Sequence, residues 1–418
     1  MAIDTLGANA LASNSVTTAK VADDAITNAK IGAGAVGTTE VAAGAVTTAK
    51  IADKAVTSAK ALNFGSRNLI INGAMKICQR HSTNSVQLAA SEQYLTDRFF
   101  NDIGSSYDMK ADAVQSTDAP SGFSNSLKLS CDGVSSLSSG SNGGITQHIE
   151  GFNCQPLAFG TSDAKTVTLS FYAKSSSQNS GHTYGVMLGA FLNGTRTIQT
   201  RGFTVTSSWQ RFTMTFQPNS VVTSTGINHN NDKGIQVFFS LASGSGDLKN
   251  YSVWTSDVQL SGFTGQDNFF DNTSNEFFLT GVQLEVGDTA TDFEHIPFGD
   301  EILKCQRYYC KSYGYGTVPG TTTIGGGVFN RHNGSISNRP DLGVRFPVTM
   351  RTTPTMTVYS FNGTASNVSK LGTGTAHSSN QGISSTLNKG QTGFGGFTLS
   401  SAVDDGVGYH YEADAEFT

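Results

Sequence analysis

Residues 1–63 contain no aromatic residue, proline, cysteine or arginine, so this stretch cannot build a globular core of its own. No run anywhere approaches the roughly 18 apolar residues that a membrane-spanning helix requires, and membrane insertion is not expected. Charge is sparse: 14% of residues are charged and the formal net charge is −5. With no basic field to neutralise phosphates, nucleic-acid binding is not expected either. The opening Met1-Ala2-Ile3-Asp4 lacks a following basic and apolar pair of regions, so no secretory signal is expected and folding in a cytoplasm is. Cys78, Cys131, Cys154, Cys305 and Cys310 are odd in number and show no CxxC spacing; they read as free buried thiols, with no metal site and no cofactor. The Asn-x-Ser/Thr matches at Asn193, Asn250 and Asn362 are expected by chance in so Asn- and Ser-rich a chain. No catalytic residue is assigned, because HExxH, nucleophile-elbow and triad signatures are missing and IGGGVF lacks a following GKS/T.

What residues 1–63 do contain is a repeat: SVTTAKVADD, AITNAKIGAG, AVGTTEVAAG, AVTTAKIADK, AVTSAKALNF. It places Val16, Val21, Ile26, Ile31, Val36, Val41, Val46, Ile51 and Val56 at a five-residue apolar period. Five residues rotate about 140° on an α-helix and change face on a strand, so neither element gathers these side chains on one side of a single chain. Repeats that cannot bury their apolar face alone need neighbours, and a threefold bundle of identical chains is the economical solution. A disordered Ala/Gly/Thr linker is the competing reading.

From Phe64 the composition changes. Val167, Leu169, Phe171 and Ala173 alternate with polar residues, as do Phe212, Met214 and Phe216, and Ile235, Val237, Phe239 and Leu241. With turn signals such as Asn193-Gly194 and Gly244-Ser245-Gly246 between them, an antiparallel, jelly-roll-like β-sandwich is predicted. In its last strand Phe278, Val282, Leu284 and Val286 should face the core and Gln283 and Glu285 the solvent. Asp300 is expected to cap a short helix from Glu301 to Gln306. VWTSDVQLSGF partly echoes FFLTGVQLEVG, and one of the two is read as part of an inserted hairpin. The acids Glu285, Asp288, Asp292, Glu294, Asp300 and Glu301 should be solvated or cap the helix. Of the two tryptophans, Trp209 reads as a core-edge residue and Trp254 as a candidate sugar platform. Beyond Tyr315 a smaller β-domain is expected, with Arg331, His332, Phe394, Phe397, Tyr409 and Tyr411 as candidate contacts on its loops, Phe394 and Phe397 reading equally as plugs of its core or of a trimer axis.

The run GVQLEVGDTATDFEHIPFGDEILKCQRYY resembles a segment of many bacteriophage tail-fibre proteins, where a carbohydrate-module-like sandwich ends and a C-terminal tip begins. Arg67-Asn68-Leu69-Ile70-Ile71-Asn72-Gly73-Ala74-Met75, then Gln79-Arg80 and Tyr94-Leu95-Thr96-Asp97-Arg98-Phe99-Phe100, supply the family's upstream partner segment. The resemblance implies a mainly β fibre with four parts: a tail-attachment segment (1–14), a trimeric shaft (15–63), a jelly-roll-like sandwich (64–299) and a β-sandwich tip (300–418). It implies a homotrimer of the virion, assembled in the host cytoplasm and bound at its N-terminus to a tail or adaptor (nozzle) protein. Distally it would adhere to a bacterial surface polysaccharide such as lipopolysaccharide, without enzymatic activity. A polysaccharide depolymerase and a purely structural virion fibre are the alternatives.

Overall fold

The computed structural model describes residues 17, 21–22, 25–27, 30–32, 67–88, 93–103, 110–331, 343–371, 377–403 and 406–417. The chain divides into two units, Met1–Leu62 and Asn63–Thr418. In the first, Ala25 N–H donates to the Ala22 carbonyl (3.0 Å) and Lys30 N–H to that of Thr27 (2.8 Å), so the backbone turns once in each of two successive five-residue steps. Val21 is half-buried, while Ile26 and Ile31 are 59% and 41% exposed on the single chain. The repeat positions Val16, Val36, Val41, Val46, Ile51 and Val56 lie outside the described residues, as does the expected tail-attachment segment.

The second unit is antiparallel β almost throughout. Period-two alternation puts one face of each strand inside, and two sheets close over those faces. One is six-stranded, in the order Val86–Gln87, Lys110–Ser116, Ser126–Gly133, Glu276–Val286, Val167–Ser175, Gln210–Phe216. The other is seven-stranded: Thr255–Ser256, Thr195–Thr204, Thr183–Leu192, Lys233–Ser243, Asn142–Glu150, Phe99–Ile103, Gln93–Thr96. Leu169, Phe171 and Leu284 of the first meet Val186, Val237 and Phe239 of the second, and the Phe171 ring lies edge-on to Phe239 at 4.9 Å. A further seven-stranded sheet follows, built on Gly406–Asp414, which pairs with Tyr309–Lys311, Val328–Arg331, Thr355–Tyr359 and Asn367–Leu371. All five cysteines are buried and unpaired, and burial pushes the thiols of Cys78, Cys154 and Cys310 up to about 12.

Strand Glu276–Val286 departs from its expected parity. A register shift between Thr280 and Gln283 inserts an extra residue, with Gly281 at φ +61°. A Cβ on Gly281 would stand 2.8 Å from both the Phe123 and Tyr172 rings. Ahead of this bulge Phe277 and Leu279 therefore face the core, and Phe278 turns out under the ammonium of Lys174, 4.6 Å from its ring centre. Behind it the face expected to be wet is covered: Glu285 is 1% exposed and accepts from Thr291 N–H (2.9 Å), Thr291 Oγ1 (2.7 Å) and Gln283 Nε2 (2.8 Å).

The upstream segment lies along this strand. Asn68 Oδ1 accepts from Leu284 N–H, its Nδ2 donates to the Val282 carbonyl, and Val282 N–H donates to that of Gly73. Glu294 accepts from Asn68 N–H at 2.7 Å, and Glu301 accepts from Asn72 N–H. Glu301 is therefore occupied by another segment. The helix runs Phe298–Gln306, one turn earlier than expected, with Pro297 rather than Asp300 at its N-cap. VWTSDVQLSGF is likewise no hairpin: Thr255–Ser256 adds an edge strand beside Ile198 and Thr197, and Gly262–Phe263 pairs in parallel with Leu248–Lys249.

A Cβ on Gly73 would lie 2.1 Å from the Val282 carbonyl oxygen. Gly73→Ala should therefore destabilise the folded chain by about 2–4 kcal/mol, read as a lowered denaturant midpoint at unchanged m-value.

Candidate functional site

The last strand, GVGYHYEAD (Gly406–Asp414), sorts its residues by parity. Val407, Tyr409, Tyr411 and Ala413 face the core of the C-terminal body with Phe394 and Phe397. The Phe397 ring lies 4.9 Å from Tyr409 and that of Phe394 lies 5.5 Å from Tyr411. The opposite parity carries His410, Glu412 and Asp414, and Glu416 continues the series. His410 stacks on Tyr313 at 3.8 Å, and Glu412 accepts from the hydroxyls of Tyr309 (2.7 Å) and Tyr359 (2.6 Å). Asp414 accepts from Arg80 at 2.9 Å.

Glu412, Asp414 and Glu416 help to wall a cleft of about 880 Å³ where the C-terminal body meets the sandwich. From the sandwich side come Arg80, His81 and Tyr94; from the other, Tyr309, Val318, Pro319, Thr355, Thr357, Glu412, Asp414, Glu416 and Phe417. The Arg80 guanidinium is held between two rings, 4.5 Å from the centre of Tyr94 and 3.7 Å from that of Tyr309. Burial alone would lower its pKa, but the carboxylates of Asp414, Glu416 and Asp97 outweigh burial and raise it, keeping the group charged. Burial also lowers His81, whose Nε2 sits 2.9 Å from the Tyr94 carbonyl. The cleft thus offers aromatic rings, hydroxyls and carboxylates in fixed positions.

Behind the cleft the two bodies are fastened by arginines. Arg98 is buried over the Tyr308 ring at 3.5 Å, pairs with Glu416 and donates to the His148 carbonyl at 2.5 Å. Arg351 grips the chain end, donating to the Ala415, Glu416 and Asn231 carbonyls, each at 2.7 Å. Arg307 forks onto Glu150 at 2.5 and 2.9 Å, and Tyr308 donates to the same carboxylate at 2.9 Å. Burial raises the Glu416 pKa, with Arg98 and Arg80 pulling against it.

The expected contacts fare differently. Phe394, Phe397, Tyr409 and Tyr411 are buried on the inward parity of β-strands, so they serve the core and present no ring to a ligand. Trp254 is 2% exposed, edge-on to Phe159 at 5.6 Å in the sandwich core, and offers no sugar platform. Arg331 is exposed and ends the strand that pairs with Gly406, outside the residues lining the cleft; His332 lies outside the described residues. Trp209 is half-buried at the surface, with its indole N–H on Asp118 at 3.1 Å. The acids that do line the cleft were visible as Glu412, Asp414 and Glu416: three carboxylates at every second residue belong on one strand face.

No protein-family model matches the sequence, and no curated protein matches it. Solved structures give distant likenesses. One is to the enzymatically active domain of bacteriophage CBA120 tailspike protein 4, at 13% identity and TM-score 0.26 over 53% of this chain and 21% of that one. Others are to a xylan-binding domain of Paenibacillus barcinonensis (8%, 50% of this chain and 99% of that one, 0.25) and to a family 11 carbohydrate-binding module of Clostridium thermocellum (16%, 50% and 100%, 0.26). The matched region spans about a fifth of the tailspike domain, and at these TM-scores the likenesses carry neither fold nor function to this chain.

Arg98→Met would leave the buried Glu416 with only Arg80, 3.6 Å away, and should cost about 2–4 kcal/mol in a denaturant titration. Lys311 supplies a pH test. Its ammonium donates to the Gln79, Tyr315 and Thr317 carbonyls, and burial lowers it from 10.5 to about 8. Between those values the unfolded chain holds a proton that the folded chain releases, so the contribution of Lys311 to stability rises with pH across that window. The buried thiols, raised from 9.0, act in the opposite sense there, so the lysine is read as a difference: the stability of the wild type minus that of Lys311→Met should rise between about pH 8 and 9.5 in thermal melts.

Proposed function

We propose that this chain is the subunit of a homotrimeric bacteriophage tail fibre, attached to the tail through its N-terminal residues and adhering to a bacterial surface glycan through its distal β-body. The observation that carries the adhesive part is the cleft where the two β-bodies meet. Sugar rings present flat C–H faces and a rim of hydroxyls; the half-buried Tyr94, Val318 and Pro319 match the first, and Thr355, Thr357, Glu412 and Asp414 the second. Glu412 and Asp414 already accept hydrogen bonds from Tyr309, Tyr359 and Arg80, which suits orientation of a ligand rather than proton transfer. The proposed fibre is therefore non-enzymatic. Three weak sites on one axis gain roughly 10² to 10⁴ in avidity when they engage together, which gives trimerisation a role in recognition. The exposed Ile26 and Ile31 of the repeat support assembly with sister chains.

Light scattering should report a trimer, and the labelled protein should bind host cells and their purified polysaccharide. Val318→Trp, which fills the cleft from its rim, should weaken cell binding at least tenfold at unchanged native mass and melting temperature. Undiminished binding by that variant would remove the cleft as the site; wild-type protein that binds virions but not cells would leave a purely structural fibre. New reducing ends released from host polysaccharide would convert the reading to a depolymerase.

A further inference from the structure

A second hollow, of about 510 Å³, opens on the other side of the Arg307–Tyr308 turn. Its floor is formed by Leu69 and Ile71 of the upstream segment, by Pro156, and by Lys304 and Tyr308 at the end of the helix. Two large apolar side chains stand unburied in this neighbourhood. Phe152, on the rim, is 50% exposed on the turn Gly151–Leu157, and Leu303, next to Lys304 on the helix, is 45% exposed. An aromatic ring left half in water beside an apolar groove wide enough for another ring marks an association surface.

Chain connectivity identifies the occupant. Residues 1–66 reach this body at Arg67, next in sequence to Asn68 and Leu69, which line the groove. A trimer gathered through its N-terminal residues brings three copies of the groove together. Phe152 itself lines the hollow, so knob and hollow are one patch, and where that patch faces a threefold axis each copy can offer Phe152 to one neighbour and its groove to the other. That is a head-to-tail contact, which a threefold rotation closes into a ring.

We infer that the groove between Leu69, Ile71, Pro156 and Lys304 receives the Phe152 ring of a second copy of this chain, joining the sandwiches in the trimer. The inference rests on the trimeric reading, and the test separates the two. Full-length chains carrying Asn153→Cys or Leu69→Cys are co-expressed, one of them tagged, and oxidised; the five native thiols are buried. A disulfide-linked tagged–untagged dimer is expected on a denaturing gel, and adding Phe152→Asp should reduce it at least tenfold at unchanged native mass. Trimeric native mass without a cross-link overturns the groove and leaves the trimer standing. Monomeric native mass overturns both. A cross-link that survives Phe152→Asp undiminished shows that the copies touch without the ring, which also overturns the assignment.

Discussion

A guanidinium removed from water must be paired, and the union of the two β-bodies turns on that requirement. Arg98 comes from the sandwich, in the turn after Gln93–Thr96, and meets Glu416, one residue before the end of the chain's last described segment. Either charge alone would carry several kcal/mol of desolvation cost; together, and over the Tyr308 ring, they are tolerated. Such a pair adds little net stability compared with an apolar isostere. What it adds is register: the chain end fits where its carboxylate finds Arg98 and its carbonyls find Arg351. The cleft is a by-product of that placement, because the residues that dock the chain end, Arg80, Asp414 and Glu416, also form its walls.

The same economy governs the connector. Asp288, Asp292 and Asp300 stay exposed as expected, and the other three acids could have done the same. Instead Glu285 accepts from Thr291, Glu294 from the backbone of Asn68, and Glu301 from that of Asn72. The two segments that carry the tail-fibre resemblance are thus one structural feature, an upstream loop clasped to the last strand of the sandwich. The clasp needs Gly73, where a side chain would collide with the Val282 carbonyl, and it needs Asn72 at φ +61°, a conformation asparagine tolerates better than most residues.

Much of the fold was legible in local pattern. Alternation located the strands through Phe171, Met214 and Phe239, whose inward faces form the sandwich core, because period-two burial follows from backbone pleating alone. Buried, unpaired cysteines were legible from their number and spacing. Two errors had a common cause. The bulge at Gly281 reversed the parity of Phe278, and Phe394, Phe397, Tyr409 and Tyr411 were placed on loops although they lie on strands that bury them. Glycine-rich composition looks alike in a mobile tip loop and in a tightly packed strand, and only the partner surface distinguishes them.

By itself, then, the sequence determined the β class, the change of regime near Phe64, and a five-residue repeat whose isoleucines one chain leaves exposed at Ile26 and Ile31, since each follows from short-range periodicity. Tertiary structure alone decided where the candidate site lies. Arg98 and Glu416 are 318 residues apart in the chain, and no local rule pairs them; they meet because a buried carboxylate and a buried guanidinium have to find each other once two sheets have excluded the water between them.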